Sequence, residues 1–344
     1  MKNKYILLAF ALMGSLMSCS ESDKLVKEKF VHPYSNPLTN FSSADPSVLK
    51  VNNQLFYTYC TNTIIRKSED LINWTDAGPM FSTKPSFVTD SGAAVWAPSI
   101  QKIGDKYILY YAMSAMGKPE TAGIGTAYAD TPEGPFNIDK SVDGKGKLFS
   151  SAEIGIRNSI DPCYFEENGQ KWLFLGSFNG IYAVKLSDDG MRVAPDLATA
   201  KAEKIQIAGD AFEASYIYKR GDYYYLFASV GACCSSMLST YTTVVGRSTS
   251  LLGPYVNKKG ESMLDNNYEI IIKANDRFVG PGHNSEIIQD SKGTDWMLYH
   301  SYDRHTPSKG RYLMIDKIVW EDGWPSIAND SPSSEAEAPV CNQD

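Results

Sequence analysis

The feature that most restricts this chain is a unit that recurs five times. Each copy is a short strand, a tight turn and a second, more apolar strand. The copies are Asp45–Val51 with Gln54–Cys60, Ala97–Ile103 with Lys106–Ala112, Asp161–Phe165 with Lys171–Ser177, Glu213–Lys219 with Tyr223–Val230, and His283–Ile288 with Asp295–Ser301. The turns carry Asn52-Asn53, Gly104-Asp105, Glu167-Asn168-Gly169, Arg220-Gly221-Asp222 and Ser291-Lys292-Gly293, residue types suited to hairpin loops. Third strands are expected at Ile124–Ala129, Ile181–Leu186, Thr243–Ser248 and Leu313–Trp320. Self-similarity at intervals of roughly 50 to 70 residues in an all-β pattern points to a solenoid or a propeller. Blades of four strands around an axis then give an all-β, five-bladed β-propeller.

Propellers exceed the usual domain length, so the 344 residues read as one domain with tails. Residues 1–19 form a signal peptide, 20–36 a polar tether, 37–328 the propeller, and 329–344 a disordered tail rich in Ser, Pro and Glu. Lys2 and Lys4 precede the apolar run Tyr5–Leu16, which is too short to cross a bilayer. The run ends Leu16-Met17-Ser18-Cys19, which resembles a bacterial lipobox with Cys19 as the lipidated residue. An exported protein with a lipid anchor in the cell envelope is expected. Cys60, Cys163, Cys233, Cys234 and Cys341 are left, an odd number in no zinc-like spacing. Cys60 and Cys163 read as buried apolar residues; for the adjacent Cys233 and Cys234 a mutual bond stays open. A net charge of −7 without a basic block argues against nucleic acid. No glycine motif for a dinucleotide or nucleotide is present, and no organic cofactor is expected. The 21 Tyr and 6 Trp suit strands and sugar-stacking surfaces alike.

In a propeller the innermost strands start at one end of the central channel, so residues at those starts converge on the axis. Asp45-Pro46 and Asp161-Pro162 stand at such starts, and Glu213 stands at a third. A lone Asp-Pro is turn chemistry; its recurrence in the repeat is what singles these acids out. Three carboxylates in one pocket raise one another's pKa. Glycoside hydrolysis needs that condition: one acid kept protonated for the leaving oxygen, one ionised to activate water. The longer Glu suits the donor, and an Asp across the channel, roughly 6.5–9.5 Å away, suits an inverting base.

The ordered motifs Ala44-Asp45-Pro46-Ser47-Val48, Val95-Trp96-Ala97-Pro98, Asn158-Ser159-Ile160-Asp161-Pro162, Gly176-Ser177-Phe178, Glu213-Ala214-Ser215-Tyr216-Ile217, Cys233-Cys234 with Ser239-Thr240-Tyr241, and Gly280-Pro281-Gly282-His283-Asn284-Ser285 resemble glycoside hydrolase family 43, above all its arabinanases. The resemblance implies an inverting enzyme acting on α-1,5-linked arabinan. It makes Asp45 the general base, Glu213 the general acid, and Asp161 the residue that raises and orients that acid. It sets His283 on the axis near a calcium ion. Trp96 is a stacking platform or a core residue. Phe178 is a second platform, Asn158 and Ser177 are partners for sugar hydroxyls, and Arg311 reaches the pocket or stays on the surface. Ser99, Ala44 and Ser235–Leu238 depart from the family pattern. A β-xylosidase or α-L-arabinofuranosidase of the same fold, a non-catalytic sugar-binding propeller and an interaction scaffold are the competing readings. A monomer is expected.

Overall fold

The computed structural model describes residues 31–61 and 64–341. Cys19, the signal peptide and most of the tether lie outside the described residues. Five antiparallel sheets each run outward from the hub in chain order. Blade one is Ser47–Asn52, Leu55–Tyr59, Ile64–Ser68 and Thr75–Pro79. Blade two is Ala94–Ile103, Lys106–Ser114, Gly123–Ala129 and Lys147–Ser150. Blade three is Cys163–Glu167, Gln170–Leu175, Ile181–Leu186 and Ile205–Ala208, and blade four is Phe212–Arg220, Tyr223–Val230, Thr242–Ser248 and Glu269–Ile272. In blade five the inner strand is split into Phe278–Gly282 and Ile287–Gln289, followed by Asp295–Asp303 and Tyr312–Lys317. The expected third strand Leu313–Trp320 therefore ends early, because Val319–Glu321 folds into a separate hairpin with Trp324–Ser326.

Every blade packs face to face on its neighbours, so middle strands are covered on both sides and lose polar alternation. In Lys106–Ser114 all residues but the first are buried. The apolar core is accordingly five clusters, one per blade junction. Tyr110 and Tyr164, for example, stack across blades two and three with ring centroids 5.9 Å apart.

Both ends of the described chain finish blade five. The amides of Leu38 and Ser43 donate to the carbonyls of Leu313 and Arg311 (2.8 and 2.7 Å). Buried Asn36 donates to the Ile315 carbonyl and accepts its amide (2.9 and 3.1 Å). Two expectations are corrected here. Pro33–Ser35, assigned to the tether, is a strand, and it pairs with Glu335–Glu337, in what was read as a disordered tail. Cys341 is buried, and the Ser291 amide donates to the Val340 carbonyl (2.8 Å). Composition suggested disorder, but the open edge of blade five offers backbone partners that local composition does not reveal.

Five cross-blade hydrogen bonds close a ring around the hub. Ser47 Oγ accepts from the Ile100 amide (3.1 Å), Ser99 Oγ from Tyr164 (3.5 Å), Cys163 Sγ from Ile217, the Tyr216 hydroxyl from Ile287 (3.1 Å), and Glu286 Oε2 from Val48 (2.5 Å). On each inner strand the donor follows the acceptor. Ser47 Oγ in turn donates to Glu286 Oε1 (2.7 Å). Burial pushes the Glu286 carboxyl up to about 7. The folded chain thus holds this proton more tightly than the unfolded one. The resulting stability is full below the unfolded pKa and is lost as pH rises through about 7. A rise from 4.5 to about 7 is worth about 3 kcal/mol. Glu286→Gln is therefore expected to flatten the fall in melting temperature between pH 5 and 8. Glu286→Ala, which strands the Val48 amide, should cost about 1–3 kcal/mol at either pH. Thermal melts across pH check both; an unaltered slope in the Gln variant would refute the assignment.

Candidate functional site

Where each inner strand meets the hub, one residue takes a left-handed backbone: Asp45 (φ 54°), Ala97 (40°), Asp161 (57°), Ala214 (55°) and His283 (49°). The pairing register slips around Ala97, between Trp96 and Ser99, around Ala214, between Glu213 and Tyr216, and just before His283, between Val279 and Gly282. Such a bulge re-aims a side chain, and the five left-handed positions turn the inner strands at the axis. The fourth position is Ala214, not Glu213. Glu213 stands one place earlier, where Ala44, Trp96, Ile160 and Gly282 stand on the other blades. It is not the repeat equivalent of the two aspartates, as the sequence reading had it. Blade two has the same slip, so Trp96 is the equivalent of Glu213 and Ala97 of Ala214, and Ala214 carries no chemistry that would mark the repeat position.

Asp45, Asp161, Glu213 and His283 line one pocket of about 490 Å³. Every described residue singled out from the sequence lines it: Asp45, Trp96, Asn158, Asp161, Ser177, Phe178, Glu213, His283 and Arg311. The size is that of a small-ligand cleft. Sequence reasoning missed Thr61, the loop 114–119 and Tyr241. The loop has no motif, whereas Tyr241 closes the quoted Ser-Thr-Tyr motif, which by itself gives the tyrosine no role.

Asp45 is the most densely held. Arg311 Nη1 donates to its Oδ1 (2.7 Å) and Thr61 Oγ1 to its Oδ2 (2.7 Å). Its amide donates to His300 Nδ1 (3.1 Å), and His283 Nδ1 lies 3.4 Å from Oδ1. Burial alone would raise this carboxyl, but Arg311 and the two histidines hold it well below the usual range. Asp45 is ionised at neutral pH. Burial, with Arg311 nearby, lowers His300 to about 4, so its Nδ1 is a lone pair and its proton sits on the buried, unpartnered Nε2. Of the two places open to Arg311, the structure gives it the pocket.

Asp161 and Glu213 face the opposite condition. Burial, then the Glu213 charge, then Asp45, raise Asp161 well above the usual range; its Oδ2 accepts the Ala214 amide (3.1 Å). Burial also raises Glu213, against hydrogen bonds from Ser177 and Tyr241 that favour the anion. The two acids titrate as one unit and retain a proton where Asp45 has lost its own. Ser177, expected to meet sugar hydroxyls, instead donates to Glu213 Oε2 (2.7 Å). Asn158 turns its amide toward the Ser177 carbonyl (3.5 Å). Phe178 is 39% exposed at the rim, as a platform would be. Trp96 is half-buried, one face on the blade core. Cys233 and Cys234 bond to each other, while Cys60, Cys163 and Cys341 are buried and free.

Next to the pocket, sharing Asp161 and His283 with it, the hub holds a small cavity of about 20 Å³, room for roughly one water. His283, Asn284 and Ser215 line it, and Asn284 Oδ1 and Ser215 Oγ are buried without partners. No cluster of three His, Cys, Asp or Glu with metal-binding geometry exists among the described residues.

A propeller whose hub sets an ionised carboxylate apart from a proton-retaining pair, in a sugar-sized pocket, belongs to the class of glycosidases. Residues 34–325 match the glycosyl hydrolases family 43, and the chain belongs to that family. It is 36% identical over 283 residues to an extracellular exo-α-(1→5)-L-arabinofuranosidase of Cellvibrio japonicus, covering 76% of this chain and 79% of that protein. It is 34% identical over 268 residues to an extracellular endo-α-(1→5)-L-arabinanase of Bacillus subtilis, with the same coverage. The structure of a Cellvibrio cellulosa α-L-arabinanase complexed with arabinohexaose matches with a TM-score of 0.73 at 31% identity, over 84% of this chain and 96% of that one.

Proposed function

We propose that this protein hydrolyses α-1,5-linked L-arabinan or arabino-oligosaccharides with inversion at the anomeric carbon. The opposite charging of Asp45 and the Asp161–Glu213 pair in one pocket carries the proposal. The names of its relatives supply the sugar. Glu213 gives its proton to the glycosidic oxygen as the C–O bond breaks. Asp45 takes a proton from the water that attacks the opposite face of the sugar. The step leaves Asp45 protonated and Glu213 ionised, and exchange with solvent restores both. Asp161 acts through Glu213 by keeping its proton on. Arg311 and Thr61 hold Asp45 in line, and Trp96 and Phe178 stack on sugar faces.

Purified enzyme on debranched arabinan, with the product ladder resolved and anomer formation followed by NMR, tests this. Release of arabinose or short oligosaccharides with the inverted anomer is expected. Cleavage of xylo-oligosaccharides but not arabinan would favour the β-xylosidase alternative; binding without turnover would favour a sugar-binding propeller. The exo-acting relative keeps α-L-arabinofuranosidase action in view, and the first product tells the two apart. Asp161→Asn removes the charge that helps hold the Glu213 proton. The basic limb of the pH–rate profile should move down by about one pH unit or more; a stationary limb would remove this role.

The relatives named extracellular support export, and the lipobox-like Leu16–Cys19 supports an anchor at Cys19. Unchanged gel mobility when lipoprotein processing is blocked would remove the anchor. A calcium ion beside His283 completes the proposal. The imidazole and the unpartnered Asn284 Oδ1 would hold it, and its charge would favour the ionised form of Asp45. Dialysis against EDTA should lower the melting temperature and calcium should restore it; equal melts would discard the ion.

A further inference from the structure

The Cys233–Cys234 disulfide closes no loop of chain. A crosslink between neighbours removes almost no entropy from the unfolded state, because that gain grows with the length of the closed loop. Fold stability therefore does not account for it, whereas its position offers a reason. Cys234 is exposed, Cys233 is half-buried, and both line the pocket that holds the three carboxylates. The loop beneath is fixed. Ser239 Oγ donates to the carbonyls of Ala232 and Cys233 (2.7 and 3.2 Å), and the Ala232 amide donates to Thr240 Oγ1 (3.0 Å). The next residue, Tyr241, is buried and hydrogen-bonded to Glu213.

We infer that this disulfide is a sugar-contacting platform on blade four, forming a binding subsite beside the cleavage point for a further unit of the oligosaccharide chain. The inference rests on the proposed glycosidase reading and deepens it. Joined sulfurs present a compact, polarizable, apolar surface with no hydrogen to donate, complementary to the C–H face of a furanose. Trp96 on blade two and Phe178 on blade three offer comparable surfaces across the same pocket, so a chain leaving the acids on the blade-four side meets the disulfide. Opening the bond replaces that surface with two thiols that water solvates and frees the exposed Cys234.

The test compares the full chain before and after reduction with tris(2-carboxyethyl)phosphine. Two thiols form, and the phosphine becomes its oxide with the oxygen of one water. The other three described cysteines are buried and free, so the reagent meets one disulfide among the described residues. KM and kcat are measured on α-1,5-arabino-oligosaccharides of two to six units. Reduction should raise KM on the longest by about tenfold, as expected for a contact patch of roughly 50 Å² returned to water. The rise should be smaller on the shortest, with kcat little changed. The Cys233→Ala/Cys234→Ala variant should reproduce the pattern and ignore the reductant. KM unaffected at every length overturns the inference, as does an equal change in KM and kcat at all lengths with a lowered melting temperature. If the oxidised enzyme fails to cleave any of these chains, the substrate reading falls first, before the reductant is added.

Discussion

Glu213→Gln is expected to lower kcat on linear arabino-oligosaccharides by about 10³-fold, in the range that removing a positioned general acid costs. The amide cannot give a proton, yet its oxygen still accepts the bond that Ser177 Oγ makes to Glu213 (2.7 Å). The pocket should therefore keep its shape, and melting temperature should be unchanged or, above neutral pH, raised, because a buried acid no longer has to ionise. Aryl arabinofuranosides with acidic phenol leaving groups need no such proton and should lose far less. An equal loss on both substrate types would deny Glu213 the donor role.

Asp45→Asn should cut turnover by a similar factor for a different reason. The water is no longer deprotonated, so good leaving groups bring no relief. Azide, which carries no proton to remove, should restore turnover and form the inverted glycosyl azide. The variant should also lose about 1–3 kcal/mol of stability. Arg311, half-buried beside Asp45, loses the anion 2.7 Å away, and an Asn amide turned toward it would set donor against donor. Near-parental turnover of arabinan by this variant would end the base assignment.

Asp45 carries a further pH consequence. Its carboxyl is held below the usual range, above all by Arg311, so the stability drawn from that pair is present at neutral pH and lost only in acid. The Glu286 effect runs the other way, so the fold should be most stable on the acid side of neutrality.

Much of this molecule could be read from local pattern. Hairpin turns, apolar strands and the spacing of Asp45, Asp161 and His283 are properties of short stretches, and they fix the number of blades and the residues brought to the hub. The third strand Ile181–Leu186 was placed to the residue. Glu213 was found but given the wrong place in the repeat, because the equivalent of Asp45 and Asp161 is Ala214, which carries no chemistry to mark it. The tail was misjudged because Glu335–Glu337 is ordered by Pro33–Ser35, some 300 residues away.

The sequence by itself determined the repeat, the blade and the identity of the acids, since alternation and turn chemistry act over a few residues. Only the closed ring decided their charges. Arg311 stands 266 positions from Asp45, and His300 stands 255 away. A carboxyl's pKa follows from burial and from neighbours within a few ångströms, and circular closure alone brings those neighbours there.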